Sequence, residues 1–226
     1  MRVLLVAGSP APSSSALVSR LSAESDLVLA VDRGADACRA AGVVPGAFCG
    51  DADTVSPDGL AWVRDQARRR EGEDEMPIRL FPPAKDDTDL SLGFSCAREL
   101  AAERDEALEV TVTCASAGRM DHALAVFGVL TKNADLAPRL VEDEFECRIL
   151  APVGATTWEL GERALRRHFS FVALADDTCV SETGLRWELD HFRVDALRDR
   201  GISNVVDASD ARVTCHEGVL AAFLIS

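Results

Sequence analysis

The amino-acid sequence predicts an α/β N-terminal domain with a mostly parallel sheet, followed by an all-β sandwich C-terminal domain. Continuous apolar runs alternate with helix-length segments in the first part of the chain, and short, often alternating strands separated by turn residues fill the second part. A length of 226 residues leaves room for two domains that each bury a core. We place these domains at residues 1–137 and 138–226, because the last long helical pattern ends before Pro138.

In the first domain, five short apolar runs are typical of strands covered on both faces, because they are continuous or β-branched. They lie at residues 3–6, 27–31, 47–49, 78–81 and 110–114. Helical patterns occupy the segments between and after them, at residues 14–24, 34–41, 56–70, 88–104 and 119–133. This repeated order of strand and helix predicts a doubly wound, mostly parallel sheet.

The second domain has a different texture, with short strand patterns that often alternate between apolar and polar residues. The predicted strands are at residues 148–150, 156–160, 169–174, 185–189, 212–215 and 219–225. Turn residues such as Gly161, Gly184 and Gly201 separate several of them. This rhythm is typical of an antiparallel β-sandwich.

The composition excludes several classes of protein. A net charge of −14, from 24 basic and 38 acidic residues, argues against a general nucleic-acid binder, whose affinity depends on basic side chains. The seven cysteines are dispersed without a Cys-x-x-Cys pair, so we predict buried thiols rather than a disulfide framework or a zinc site. No apolar run approaches the length of a membrane helix, which predicts no membrane partner and a cytoplasmic location.

Acidic residues follow four successive predicted strands, in the segments 31–36, 50–54, 82–89 and 115–122. Ligands of open α/β sheets bind beyond the carboxyl ends of the strands, so these acids are expected at one edge. Asp51 and Asp53 are two residues apart, and in an extended segment their carboxylates point to the same side. For Asp86 and Asp87, at a helix start, helix capping is an alternative explanation. Such a cluster favours a hard cation such as Mg²⁺.

Two basic residues accompany these acids. Lys85 is one of only two lysines in the chain and lies beside Asp86, and Arg119 follows the fifth predicted strand. Both side chains are suited to hold phosphate oxygens. Carboxylates for a metal, together with a lysine and an arginine for phosphate, indicate a nucleotide site for phosphoryl transfer. The sequence has no P-loop, no protein-kinase signature, no Gly-x-Ser-x-Gly and no His-Glu-x-x-His, so those classes are not supported.

Several motifs resemble the thiamine pyrophosphokinase family in order and spacing, at residues 32–35, 50–54, 81–90, 118–122, 184–187 and 201–204. The most specific are Lys-Asp-Asp-Thr-Asp-Leu at 85–90 and Gly-Arg-Met-Asp-His at 118–122. The resemblance covers nearly the whole chain. It implies an α/β nucleotide-binding domain and a β-sandwich, a homodimer with active sites between subunits, and pyrophosphoryl transfer from ATP, the co-substrate, to the hydroxyethyl group of thiamine.

The resemblance also implies roles for individual residues. Three carboxylates would hold Mg²⁺, those of Asp51, Asp53 and Asp89. Three residues would act at the transferring group: Arg119, Asp121 and Lys85. Asp121 is the first candidate to accept the hydroxyl proton, with water or phosphate as alternatives. The thiamine hydroxyl would attack the β-phosphorus in line and AMP would leave, with positioning and charge neutralisation supplying most of the catalysis.

The remaining implied contacts are to ATP and thiamine. The ATP side would be formed by Asp32, Gly34, Thr88, Asp86 and Asp87, and the thiamine side by Trp187, Ser203 and Asn204. Trp187 either stacks on the aminopyrimidine or is a core residue of an alternating strand. Arg33, where the family often has glycine, either contacts phosphate or points to solvent, and Ala52 replaces the family's usual Phe.

Three other functions fit the same acids. One is a pyrophosphokinase for a pterin alcohol, with a similar nucleotide half and a different second domain. Another is a Mg²⁺-dependent nucleotide hydrolase that uses water as the acceptor. A non-catalytic nucleotide sensor would bind ATP without forming AMP.

Overall fold

A computed structural model of the protein describes residues 1–70, 76–82, 84 and 86–226. The chain divides between Val129 and Leu130 into two units. The first contains a parallel sheet with helices and the second contains antiparallel strands, which confirms the predicted fold class. The limits 1–137 and 138–226 for two functional domains stay a prediction.

The sheet of the first unit is parallel throughout, in the order β5-β1-β2-β3-β4. Its strands are β1 (Arg2–Val6), β2 (Leu27–Val31), β3 (Ala47–Gly50), β4 (Ile78–Leu80) and β5 (Glu109–Thr113). Strand β1 pairs with β2 on one side and β5 on the other, and its residues Val3 to Val6 are at most 1% exposed. Burial on both faces explains why this strand is a continuous apolar run.

Five helices follow the strands in turn: α1 (Ser15–Ala23), α2 (Gly34–Ala40), α3 (Pro57–Arg69), α4 (Asp89–Glu103) and α5 (Met120–Lys132). Hydroxyl side chains cap three of them, because Ser14, Ser56 and Thr88 each accept a hydrogen bond from a backbone amide in the first turn. Each helix starts soon after a strand ends. The polar residues of these connections therefore lie at the carboxyl edge of the sheet, where ligands of this architecture bind.

The second unit contains two groups of antiparallel strands, in the orders β12-β9-β14-β7-β6 and β11-β10-β13-β8. The strands are β6 (Arg139–Val141), β7 (Phe145–Leu150), β8 (Thr157–Glu159), β9 (His168–Ala173), β10 (Thr178–Thr183), β11 (Leu189–Val194), β12 (Asn204–Val205), β13 (Arg212–Glu217) and β14 (Leu220–Ile225). One apolar core draws residues from both groups, and Trp158 of β8 meets Phe169 of β9 edge to face at 6.4 Å. The unit is therefore a sandwich, as predicted.

The strand predicted at residues 185–189 is wrong. Strands β10 and β11 flank this segment, and residues 184–188 form the loop between them. The pattern alternates like a strand, but Gly184 has a φ of +75° and its amide donates to Glu188 Oε1 at 2.7 Å, which closes the chain on itself. Leu185 is buried through a single bridge to Val206. Strands β6, β10 and β12 lie outside all the predicted strands, and β11 shares only its first residue, Leu189, with one of them.

The seven cysteines are all buried and free, as the sequence predicts. They are distributed over both units, with Cys38, Cys49, Cys96 and Cys114 in the first and Cys147, Cys179 and Cys215 in the second. Within the described ranges, none of the helices combines the length and the apolar character needed to cross a lipid bilayer.

Candidate active site

Three carboxylates converge at the carboxyl edge of the parallel sheet. Asp32 follows β2, and Asp51 and Asp53 follow β3; each offers one oxygen, and these oxygens lie within 4.8 Å of one another. We call these residues the acidic trio. The two strands are neighbours, and the Asp32 amide donates to the Cys49 carbonyl at 2.8 Å. Parallel pairing thus brings together side chains that are far apart in the sequence.

Gly50 makes this close approach possible. Its φ is +149°, and a Cβ built on it would lie 2.9 Å from the Cβ of Asp32 and 3.1 Å from its Cα. A side chain at position 50 would therefore push the two strand ends apart. The glycine before Asp51 is a structural requirement of the acidic trio.

A tight turn, not an extended segment, brings Asp51 and Asp53 together. Ala52 between them has a φ of +62°, and the Asp53 amide donates to Asp51 Oδ1 at 3.1 Å. The two carboxylates do lie close together, as predicted, but a turn at Ala52 brings them together and not the extended backbone that the prediction assumes. The left-handed alanine costs free energy that the surrounding contacts must offset.

Asp32 is 4% exposed, and its two oxygens have different surroundings. Thr54 Oγ1 donates to Oδ2, whereas Oδ1 is buried without a hydrogen-bond partner among the described residues. Arg33 Nε donates to the Thr54 carbonyl at 3.2 Å, so this side chain supports the loop that holds Asp32. A buried carboxylate oxygen without a partner is costly, and a bound cation would satisfy it.

The charges of these acids act on one another. The pKa of Asp53 is raised, chiefly by its hydrogen bond with Asp51, then by burial and by the charges of Asp51, Asp32 and Asp89. A divalent cation relieves such repulsion, and an all-oxygen donor set suits Mg²⁺. The donor chemistry and the orphan Asp32 oxygen therefore fit this metal. Asp89, the first residue of α4, is outside the trio although its charge reaches Asp53.

The family resemblance implies that Asp32 is on the ATP side of the site and is not a metal ligand. The structure instead groups it with Asp51 and Asp53. The signal that could have found it was present, because Asp32 directly follows the strand that pairs with the strand before Asp51.

At the start of α4, the structure shows which residue caps the helix. Thr88 is the N-cap, and its hydroxyl accepts from the Ser91 amide at 3.3 Å. Asp87 Oδ1 accepts from the Ser91 hydroxyl at 3.1 Å, and Asp86 is exposed. The cap itself is thus Thr88, not one of the two acids. Lys85, predicted to hold phosphate beside these acids, lies outside the described residues.

Arg119 and Asp121 lie at the connection between β5 and α5 and form an exposed ion pair. Arg119 Nε donates to Asp121 Oδ1 at 3.1 Å, and a second contact joins Nη2 to Oδ2. This pairing lowers the pKa of Asp121 to about 2. A carboxylate with so low a pKa is a weak base while the arginine stays on it.

Gly34, predicted to bind ATP, is packed against the sheet. A Cβ on this residue would stand 1.8 Å from the Val6 carbonyl oxygen and 3.1 Å from that of Ala7. The absence of a side chain therefore lets α2 begin directly against the end of β1. This packing role exists whether or not ATP also touches the residue.

Two of the residues predicted to bind thiamine contact each other in the second unit. Asn204 is 4% exposed, and its Nδ2 donates to the Trp187 carbonyl at 2.8 Å and to Glu182 Oε2 at 3.0 Å. Its Oδ1 accepts from the amides of Trp187 at 3.2 Å and Val205 at 2.9 Å. The amide group therefore uses all of its donors and acceptors within the protein.

The side chain of Trp187 is 60% exposed, so it is not a core residue of a strand. Arg186 lies 5.9 Å from the centre of its ring and forms two hydrogen bonds to Asp207, at 3.1 and 3.2 Å. Ser203 has a φ of +64°, and its amide donates to Ser170 Oγ at 2.9 Å. The result is an exposed indole on an anchored loop, which suits stacking against a flat cation.

Glu182 was not predicted as part of this site. It lies on β10, is 2% exposed, and burial raises the pKa of its carboxyl to about 7, with the Asn204 hydrogen bond acting in the opposite direction. A signal in the sequence existed: Glu182 is two residues from Val180 and so shares its core-facing side of the strand.

We expect Glu182 to make stability depend on pH. The unfolded chain ionises this residue near the ordinary glutamate pKa of 4.5, whereas in the folded chain the pKa is about 7. As pH rises from 4.5 to 7 the unfolded state loses the proton first, so the free energy of unfolding falls, by up to about 3 kcal/mol, and then levels. The measurement is urea unfolding at pH 5 to 8, with Glu182→Gln as the control that lacks this component. A difference between the two proteins that does not change with pH would contradict the expectation.

Comparison with known proteins identifies two domain families in order along the chain. The family model described as "Thiamin pyrophosphokinase, catalytic domain" matches residues 18–141, more than half of the chain. That described as "Thiamin pyrophosphokinase, vitamin B1 binding domain" matches residues 159–220. A thiamine pyrophosphokinase of Bacillus subtilis (strain 168) is 24% identical over 200 residues, which cover 87% of this chain and 86% of the relative.

Solved structures show the same fold. The thiamine pyrophosphokinase from Bacillus subtilis superposes with a TM-score of 0.80 at 20% identity, covering 100% of this chain and 99% of that chain. The thiamin pyrophosphokinase from Candida albicans gives a TM-score of 0.78 at 12% identity, covering 100% and 89% of the two chains.

Proposed function

The chain belongs to the thiamine pyrophosphokinase family, and on that premise we propose how its residues carry out the reaction. It is an enzyme that transfers the pyrophosphoryl group of ATP to the hydroxyethyl group of thiamine, giving thiamine diphosphate and AMP. The observation that carries the assignment of the site is the acidic trio with its orphan oxygen at the carboxyl edge of the sheet.

The proposed metal ligands are Asp51 and Asp53, with Asp32 added because its buried Oδ1 has no partner among the described residues. Asp89 remains a proposed ligand, supported by its effect on the pKa of Asp53. A Mg²⁺ ion held by these carboxylates would neutralise negative charge on the ATP phosphates. Without a cation, three close carboxylates would repel a polyphosphate.

Arg119 and Asp121 are proposed to exchange partners during the reaction. An ATP phosphate competes with Asp121 for the exposed Arg119 guanidinium, which binds phosphate in the same forked geometry. Once Arg119 is on phosphate, Asp121 loses the partner that lowers its pKa and becomes a better acceptor for the thiamine hydroxyl proton. The alcohol oxygen attacks the β-phosphorus in line, and AMP leaves.

The other proposed ATP contacts come from the segment before α4 and from the start of α2. Thr88, Asp86 and Asp87 precede α4, and Gly34 is the first residue of α2. Lys85 is proposed on a phosphate oxygen, as a compact charge beside the acids.

On the thiamine side, the exposed ring of Trp187 is proposed to stack on the aminopyrimidine, with Ser203 beside it. The Asn204 amide has no donor or acceptor to spare, so its contribution to binding acts through the Trp187 backbone. This differs from a direct contact between Asn204 and thiamine.

Two further parts of the proposal concern assembly and location. A homodimer with the active site between subunits is proposed from the family resemblance, with Trp187 reaching the acidic trio of the other subunit. The cytoplasm is proposed as the compartment, because the reaction needs ATP and the seven buried cysteines are free thiols.

The function is tested by incubating the purified protein with ATP, Mg²⁺ and thiamine and measuring AMP and thiamine diphosphate. We expect equal amounts of the two products and little AMP without thiamine. A pterin alcohol in place of thiamine tests the related pyrophosphokinase. ATP hydrolysis at the full rate without any alcohol would contradict the proposal and favour a hydrolase. ATP binding without formation of AMP would favour a sensor.

A further inference from the structure

We propose that Glu182 is a positioning residue of the thiamine site, whose carboxyl group holds Asn204 and, through Asn204, the backbone of Trp187. The inference rests on the proposed function, because it assigns Trp187 to thiamine. Glu182 does not touch the substrate in this role. It fixes the position of the Trp187 indole through the backbone of that residue.

The chain of contacts is continuous and buried at its base. Glu182 Oε2 accepts from Asn204 Nδ2 at 3.0 Å, and the Asn204 amide then pairs with both the amide and the carbonyl of Trp187, at 3.2 and 2.8 Å. Glu182 is 2% exposed and Asn204 is 4% exposed, whereas the Trp187 ring is 60% exposed. A buried polar pair thus supports an exposed aromatic side chain.

Glu182 occupies a position where an apolar side chain would be expected. Its neighbours across the sheet are Leu189 on β11 and Val213 on β13, and Val180 precedes it on the core-facing side of the same strand. Its second oxygen, Oε1, is buried with no hydrogen-bond partner in the part of the chain described. An aliphatic residue would avoid this cost, so the carboxyl is best explained by what it holds.

The two neighbouring strands pair differently with β10 at this residue. The pairing of Glu182 with Val213 on β13 belongs to a regular stretch, in which residues 180–183 face residues 215–212. On β11, the partners of Val180 and Glu182 are three positions apart instead of two, so the extra residue of the β-bulge lies on β11, where His191 has a φ of +46°. Glu182 therefore keeps the core-facing direction of Val180, and the bulge follows the loop 184–188 that carries Trp187.

The consequence for binding is preorganisation. An exposed indole on a loop that moves freely would pay an ordering cost when thiamine stacks on it, and a fixed backbone removes that cost. Arg186, in the same loop, is held by two hydrogen bonds to Asp207. Loss of the Glu182 contact should therefore weaken thiamine binding without slowing the chemical step.

The test compares Glu182→Met, which keeps the volume and removes the acceptor, with Glu182→Gln, which keeps an acceptor for Asn204. We expect Glu182→Met to raise the KM for thiamine about tenfold, with kcat and the KM for ATP within about twofold of the parent protein. Glu182→Gln should restore the KM for thiamine. Hydrogen exchange of the Trp187 amide should be faster in Glu182→Met only.

The matched control is Thr178→Val, at the other end of β10. Thr178 is fully buried and its hydroxyl donates to the Ala175 carbonyl at 2.7 Å, so this change also removes a buried hydrogen bond. It should lower stability and leave the KM for thiamine unchanged. If Glu182→Met does not fold, Glu182→Ser, too short to reach Asn204, replaces it.

An unchanged KM for thiamine and unchanged Trp187 exchange in a folded Glu182 variant would overturn the proposal. Hydrogen exchange needs no substrate. A parent protein that makes no thiamine diphosphate would therefore refute the proposed function, while faster Trp187 exchange in Glu182→Met would still show that Glu182 positions the loop.

Discussion

Replacing Asp51 by Asn is expected to lower kcat about 1,000-fold or more while leaving the protein folded. Asparagine keeps the oxygen that accepts from the Asp53 amide at 3.1 Å, so the turn at Ala52 should persist. It removes one negative charge from the acidic trio, and with it a proposed Mg²⁺ ligand. Because close like charges destabilise the folded state, the melting temperature should stay equal or rise.

The measurement is AMP formation with saturating ATP, Mg²⁺ and thiamine, together with thermal melting. Asp65→Asn is the matched control, because Asp65 lies on the surface of α3 in an ion pair with Arg69 at 2.8 Å. That control should keep full activity. Near-normal rates for Asp51→Asn would refute the metal assignment.

The same variant tests the shared active site. Asp51→Asn disables the acidic trio of its own subunit, and Trp187→Ala removes the indole that this subunit is proposed to supply to the other. A dimer with one subunit of each kind would therefore have one intact site and one site that lacks both parts. If subunits exchange at random in an equal mixture, half of the dimers are mixed, and the mixture should recover about a quarter of the parent activity. No recovery from a demonstrably mixed dimer would exclude a site built from two subunits.

Replacing Gly34 by Ala is expected to have the largest effect on stability, a loss of at least about 3 kcal/mol in the free energy of unfolding. The new Cβ would stand 1.8 Å from the Val6 carbonyl oxygen, and the obstacle is backbone in the buried strand β1. Neither side of this contact can move without shifting α2 against the sheet. The measurement is urea unfolding followed by circular dichroism.

Gly128→Ala provides the contrast. Gly128 lies within α5, and a Cβ built on it meets nothing described within 4 Å. Alanine there should stabilise the protein by about 0.5–1 kcal/mol, because it restricts the unfolded chain and suits a helix. If both substitutions changed the free energy of unfolding by the same amount, the close contact between position 34 and β1 would not be the reason why that position needs glycine.

The sequence by itself determined the fold class and the edge of the sheet where the acids lie. Continuous apolar strands separated by helices specify a parallel sheet, and residues that follow neighbouring parallel strands must converge at its carboxyl edge. Asp51 and Asp53 could be found in this way. The prediction is less accurate for the second unit. Residues 185–188 have the alternation of a strand, yet they form a loop whose shape depends on Gly184 and on the distant partner Val206.

Only the tertiary structure decided how individual polar groups are used. The grouping of Asp32 with the metal ligands depends on a pairing between β2 and β3 that Gly50 permits. The contact of Glu182 with Asn204 joins residues 22 positions apart through side-chain geometry. Local pattern fixes which face of a strand is buried, but the free energy of a buried carboxyl depends on the partner that the whole fold brings to it.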